Sequence, residues 1–193
     1  MQLSNIVDAP KNKQRWRCVK CAAWSGLLLL QGVSLARAGG LVPESAGVRF
    51  GTPANLSGAE FNQAEAAADW DLPWRWDLGK DWHVQTRLNA SLGWLGDSRV
   101  NGAICTLGPS AVLSWRDFPV SIETGASPTL LSVDNFGTKN FGTPFQFTSY
   151  IGVNFDFLSH FRFNYRFQHM SNAGLASSNP GLNLHMLGLS YRF

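Results

Sequence analysis

The stretch YRFQHMSNAGL, residues 165–175, places His169 two residues before Ser171. On an extended strand, side chains at i and i+2 point to the same face, about 6.6 Å apart at Cα given a rise of ~3.3 Å per residue. An imidazole and a hydroxymethyl group can close that gap to a hydrogen bond. The pair is what an activated serine needs: the ring takes the hydroxyl proton while the oxygen attacks a carbonyl carbon. Such chemistry requires no cofactor. No His/Cys/carboxylate cluster has metal-ligand spacing, and no Gly-rich phosphate loop precedes a helix.

The segment that must hold this pair alternates with period two. Phe161, Phe163, Tyr165 and Phe167 share one face, and Arg162, Asn164, Arg166 and Gln168 share the other. Odd numbering carries His169 and Ser171 onto the oily face. The same alternation runs through WHVQTRLNASLGW (82–94) and FQFTSYIGVNFDF (145–157), and it predicts strands with two unlike faces. In water the oily face would be hidden; in a membrane barrel it meets lipid and the polar face fills the interior.

Three features favour the membrane version. Trp70, Trp74, Trp76, Trp82 and Trp94 fall near predicted strand ends, where interfacial aromatic girdles sit. Short connections at 78–81, 116–119 and 158–160 alternate with longer or more polar ones around 53–59, 96–101, 134–143 and 173–180. The C-terminal LGLSYRF, with Leu187, Leu189, Tyr191 and Phe193 on one face, is similar to the signal read by the outer-membrane assembly machinery. Strands are expected at 45–52, 60–77, 82–96, 101–115, 119–132, 144–157, 161–172 and 181–193. The fold class is thus all-β, an eight-stranded antiparallel transmembrane β-barrel whose interior is filled by side chains. A soluble lipocalin-like barrel would need an apolar interior, whereas the inward sets here carry Arg87, Asp156, Arg162 and Arg166.

Ahead of the barrel, KNKQRWRCVK is followed by the apolar run CAAWSGLLLLQGVSLA and by Ala36-Arg37-Ala38, the three-part pattern of a secretory signal peptide. Residues 1–38 are expected to be removed, leaving 39–193 as the barrel. The leader holds six of the 16 Lys and Arg and one of the 13 Asp and Glu, so the formal charge of +3 becomes −2 in the remaining ten basic and 12 acidic residues. No nucleic-acid partner follows from the precursor's basicity. Cys18 and Cys21 lie in the leader, and Cys105 alone cannot form an internal disulfide.

With a periplasmic N-terminus, the seventh strand runs outward, and His169 and Ser171 reach the rim in the leaflet that holds lipopolysaccharide. An ester in a lipid head region can meet them there. Geometry alone leaves two readings open, because polar residues facing out near a rim cost only about 0–1 kcal/mol. HMSNAGL, followed by NPG, resembles the motif of the outer-membrane lipid A 3-O-deacylase family, PagL, most specifically over residues 162–193. The resemblance implies an eight-stranded barrel in the bacterial outer membrane, lipid A as substrate, and ester hydrolysis of the 3-O-linked acyl chain. It makes Ser171 the nucleophile and His169 the general base. Asn172, Asn179 and main-chain N–H groups around Ala173 and Gly174 become the groups that hold the oxyanion.

One position departs from the motif. Its best-known form has a glutamate fourteen residues after the histidine, where this chain has Asn183. An amide oxygen can accept the imidazole N–H, as asparagine does in Cys-His-Asn proteases, but it cannot offset charge forming on the ring. No acidic residue follows Asp156. The alternatives are therefore an inactive relative or a non-catalytic small barrel serving adhesion or envelope integrity. An acyltransferase would hold its acyl chain in an apolar cavity, which the charged inward residues disfavour. Broad outward surfaces admit a homodimer, but nothing in the sequence specifies one.

Overall fold

A computed structural model describes residues 42–54, 61–137 and 139–193. The segment read as a leader lies outside the described residues. Eight antiparallel strands form a closed barrel in chain order: β1 (Ser45–Pro53), β2 (Asn62–Leu78), β3 (Trp82–Gly96), β4 (Asn101–Trp115), β5 (Val120–Leu131), β6 (Phe145–Phe157), β7 (Phe161–Ser171) and β8 (Leu182–Arg192). β1 pairs with β8, Ser45 opposite Arg192, so no sheet edge is left open.

The two-residue alternation decides which way each side chain faces. Phe161, Phe163, Tyr165 and Phe167 are exposed on the outside, while Arg162, Arg166 and Gln168 are buried within. The same holds along β6, where Phe147, Ile151, Val153 and Phe155 face out and Thr148 and Asn154 face in. Exposed rings gather at the end of the short turns. Trp82 and Trp115 are cross-strand partners with ring centroids 4.9 Å apart, and Phe161, Tyr191 and Phe193 pack edge to face nearby. Trp74 and Trp76 belong to this girdle. Trp70 does not: it sits in the middle of β2 opposite Leu88, because β2 runs on to Leu78 through an irregularity between Asp71 and Arg75. Pro73, which has no N–H to give a ladder, lies in that interruption.

The lumen is polar through its middle and base. Glu65 accepts from Arg49 Nε (2.6 Å), Arg166 Nη2 (2.9 Å), Gln63 Nε2 (2.8 Å) and Ser91 Oγ (2.9 Å), tying β1, β2, β3 and β7 together. The Arg166 guanidinium also lies 4.4 Å from the Tyr150 ring centroid. Toward the base, Arg162 and Arg192 clasp Asp156 at 2.6 and 2.9 Å. These buried ions exclude the water-soluble lipocalin-like alternative, in which the interior would be apolar and the surface polar.

The outer third of the lumen is different. Phe61, Phe136, Phe141, Met170, Leu182, Leu184 and Met186 close it as a packed apolar plug. Phe61, Phe136 and Phe141 meet edge to face at 5.2–5.9 Å. The inward positions of β8 carry the signal for this: even-numbered Leu182, Leu184 and Met186 are apolar, opposite Met170, Gln168 and Arg166 of β7. The plug makes a firm floor beneath the loops that follow β5 and β7.

Candidate active site

His169 and Ser171 end β7, and Asn183 begins β8. His169 and Asn183 are direct partners across the β7–β8 ladder, and their outward side chains meet: His169 Nδ1 lies 2.6 Å from Asn183 Oδ1. An amide oxygen carries no proton, so the ring's proton is on Nδ1 and Nε2 is left with a lone pair. On the other side of His169, the β6 ladder places Ser149, and it places Phe147 beside Ser171. Ser171 is half-buried and shares the lipid-facing side with the ring. Among the described residues no hydrogen bond joins that ring to the Ser171 hydroxyl. Catalytic hydrogen bonds commonly tighten only when substrate is bound.

The chain turns sharply after the serine. Ala173 and Gly174 have φ of +52° and +83°, and the backbone folds back so that Leu175 N–H donates to Asn172 O at 3.0 Å. Asn172 has the even parity of the lumen side and is buried. Its Nδ2 donates to Phe141 O (2.9 Å) and Ser178 O (2.7 Å), and its Oδ1 accepts from Gly174 N–H (2.9 Å). Its own N–H goes to Asn179 Oδ1 at 3.1 Å. Asn172 and Gly174, expected as oxyanion donors, thus use these N–H groups inside the loop, and the Asn172 side chain is a tie between loops. Asn179 is exposed, and among the described residues no hydrogen bond takes its Nδ2 or the Ala173 N–H. These two donors are the ones free to turn toward a substrate oxygen.

A neighbouring loop completes the rim. Ser178 Oγ donates to Asn140 O at 2.7 Å, so the loop after β5 is sewn to the loop after β7. Lys139, from the same loop, crosses over and donates from Nζ to Gly181 O at 2.7 Å. Partial burial pulls its ammonium below the usual lysine range. Gly181 has φ of +62°, and a Cβ there would stand 3.2 Å from His169 Cε1. Lys139, Gly181 and Ser149 had no signal in the alternation pattern, because loop crossings and ladder register are long-range features.

Below the His169–Asn183 rung, the next outward rung pairs Phe167 with His185, and the one after it pairs Tyr165 with Leu187. The Tyr165 hydroxyl and His185 Nδ1 are 2.8 Å apart, which satisfies the imidazole on an otherwise oily surface. On β6, Ile151 and Val153 stand beside this track, and Phe147 stands beside Ser171 with its ring centroid 5.1 Å from that of Phe145. His160, at the opposite end, stacks on Tyr191, and His83 lines the polar cavity at the base.

A closed barrel with an oily exterior, and with a serine and an amide-held histidine on that exterior, defines a small transmembrane barrel whose polar rim group faces lipid. The family model described as lipid A 3-O-deacylase (PagL) matches residues 62–192. The chain belongs to this family of outer-membrane barrels. It is 37% identical over 79 residues to the lipid A deacylase PagL of Bordetella bronchiseptica, an alignment covering 41% of this chain and 44% of that protein. The aligned stretch therefore spans less than half the length of that relative. The crystal structure of the outer membrane enzyme PagL superposes with a TM-score of 0.67 at 18% identity, over 77% of this chain and 99% of that one, and it supports the fold. Neisserial surface protein A is similar at a TM-score of 0.47 and 13% identity, over 77% of this chain and 95% of that one.

Proposed function

We propose that this protein is a serine-type lipid A 3-O-deacylase working in the plane of the outer membrane. Lipid A reaches the rim by lateral diffusion, and the acyl chain to be released lies along Phe167, Tyr165 and Phe147. His169 Nε2 takes the Ser171 proton as Oγ bonds to the ester carbonyl carbon. Asn179 Nδ2 and the Ala173 N–H hold the oxyanion, an interaction typically worth about 3–4 kcal/mol in the transition state. The sugar 3-oxygen leaves with the proton that His169 took. Water, deprotonated by the same ring, then attacks the acyl-serine, releasing the 3-hydroxy fatty acid and restoring Ser171.

The observation that carries this reading is the 2.6 Å contact from His169 Nδ1 to Asn183 Oδ1 on the lipid-facing side. It fixes the tautomer that a base needs, at the outer rim where a lipid headgroup would meet it. Residues 1–38 serve as the secretion leader, and the C-terminal strand engages the barrel-assembly machinery. The broad outward face leaves room for a homodimer.

Mass spectrometry of lipid A from a host lacking the activity tests the assignment. Expression of the chain is expected to remove one 3-hydroxyacyl group, and S171A to abolish the change. A shift that persists in S171A rejects Ser171 as the nucleophile. No shift from the wild-type chain, correctly assembled, would favour a non-catalytic barrel.

A further inference from the structure

Among the described residues, Lys139 is a cation without an anion. Its Nζ is held over the β7–β8 loop by one hydrogen bond to Gly181 O at 2.7 Å, and an ammonium has three protons to give. Among the described residues every ion pair uses arginine and no carboxylate meets Lys139. The group is half-buried, so it has given up part of its hydration without receiving a counter-charge. Its position is equally specific: the carbonyl it caps belongs to Gly181, where an added Cβ would come within 3.2 Å of His169 Cε1. The cation therefore stands at the outer rim, one residue away from the proposed base.

A lipid-facing rim needs a cation with this placement if its ligand brings a negative charge. Resting on the deacylase reading, we propose that Lys139 is a specificity-determining residue that binds a phosphate on the sugar headgroup of the substrate. The remaining two N–H groups donate to the phosphate while the third stays on Gly181. The phosphate thereby fixes the sugar relative to the loop that runs beside His169, and the scissile ester is brought to Ser171. Recognition reads the headgroup's charge, and the acyl chain is held by the oily track below.

The test compares two lipids on refolded full-length protein in micelles: bis-phosphorylated lipid A, and the same lipid with its phosphates chemically removed. Wild type is expected to favour the phosphorylated lipid in kcat/KM by about tenfold, the scale of one charge-assisted hydrogen bond. Lys139→Met should lose about tenfold on the phosphorylated lipid and less than threefold on the other, so that the preference collapses. Lys139→Arg, which keeps the charge and can keep the Gly181 bond, should restore most of the preference. Equal losses on both lipids in Lys139→Met would overturn the proposal and make Lys139 a strut of the loop. Equal wild-type rates on both lipids would overturn it as well. Wild-type inactivity toward both would remove the deacylase reading itself, and the proposal with it.

Discussion

Asn183 stands directly across the β7–β8 ladder from His169 and accepts its Nδ1–H at 2.6 Å. This places the orienting group on a rigid strand rather than on a loop, so the ring has little freedom to turn. The contact supplies geometry without charge. A carboxylate in the same place would supply both, stabilising the imidazolium that forms as Ser171 attacks.

That difference sets the first prediction. Asn183→Ala should lower kcat/KM by roughly 10²-fold, the lower end of what a positioned acid–base group contributes. Asn183→Glu should raise it above wild type. The added carboxylate would stabilise the imidazolium that forms in the transition state. Rates of lipid A deacylation by the two variants and wild type check both statements. A rate with Glu at 183 no higher than that of wild type would mean that charge at this position does not act on the ring.

Gly181 gives a second prediction. Its φ of +62° is a conformation that costs a side-chain-bearing residue roughly 1–2 kcal/mol. A Cβ there would also press on His169 Cε1 at 3.2 Å. Gly181→Ala should therefore reduce kcat by at least tenfold with a smaller change in KM, because it shifts the ring away from Asn183 and leaves the oily track untouched. Equal changes in the two constants would point to loss of substrate binding instead.

Much of this architecture is legible in the sequence because a strand's two faces are written in alternate residues. Phe161 to Ser171 shows both the lipid face and the side on which His169 lies, and all eight strands fall within two residues of their expected ends. The parity of Asn172 also carries information: it is even, like Arg166 and Gln168, and its side chain turns inward. Its Nδ2 accordingly donates to the loop carbonyls of Phe141 and Ser178 rather than outward. The tie from Lys139 to Gly181 spans 42 residues and joins two irregular loops, so no local period encodes it. The apolar plug at the outer end was hidden for another reason. Phe61, Phe136 and Phe141 come from loops and strand entries, where alternation stops, and only their packing shows that they fill the barrel.

The inward turn of Asn172 leads to the third prediction. Asn172→Asp keeps the oxygen that accepts from Gly174 but removes the donor that serves Phe141 O and Ser178 O. Two buried carbonyls would then face a carboxylate. A buried group left unsatisfied costs about 1–3 kcal/mol, and here the cost falls on the junction between the loops after β5 and β7. Limited proteolysis should cut these loops faster while the barrel strands stay protected, and deacylation should fall with the loss of the turn that follows Ser171. Unchanged loop protection would show that the Ser178–Asn140 bond suffices to join them.

The last prediction concerns the lumen, far from the rim. Glu65 has a fully buried side chain and two arginine partners, Arg49 at 2.6 Å and Arg166 at 2.9 Å. Glu65→Gln retains shape and most hydrogen bonding but leaves two cations without their shared anion. Breaking a buried pair by removing one partner costs about 3–5 kcal/mol. Unfolding by urea in lipid vesicles should therefore occur at a clearly lower midpoint. Deacylation per folded molecule should stay within about twofold of wild type, because β7 presents His169 and Ser171 on its opposite face and the apolar plug separates the outer rim from the polar network. A large loss of activity in the folded fraction would mean that the Arg166 side of β7 and its lipid-facing side are mechanically coupled.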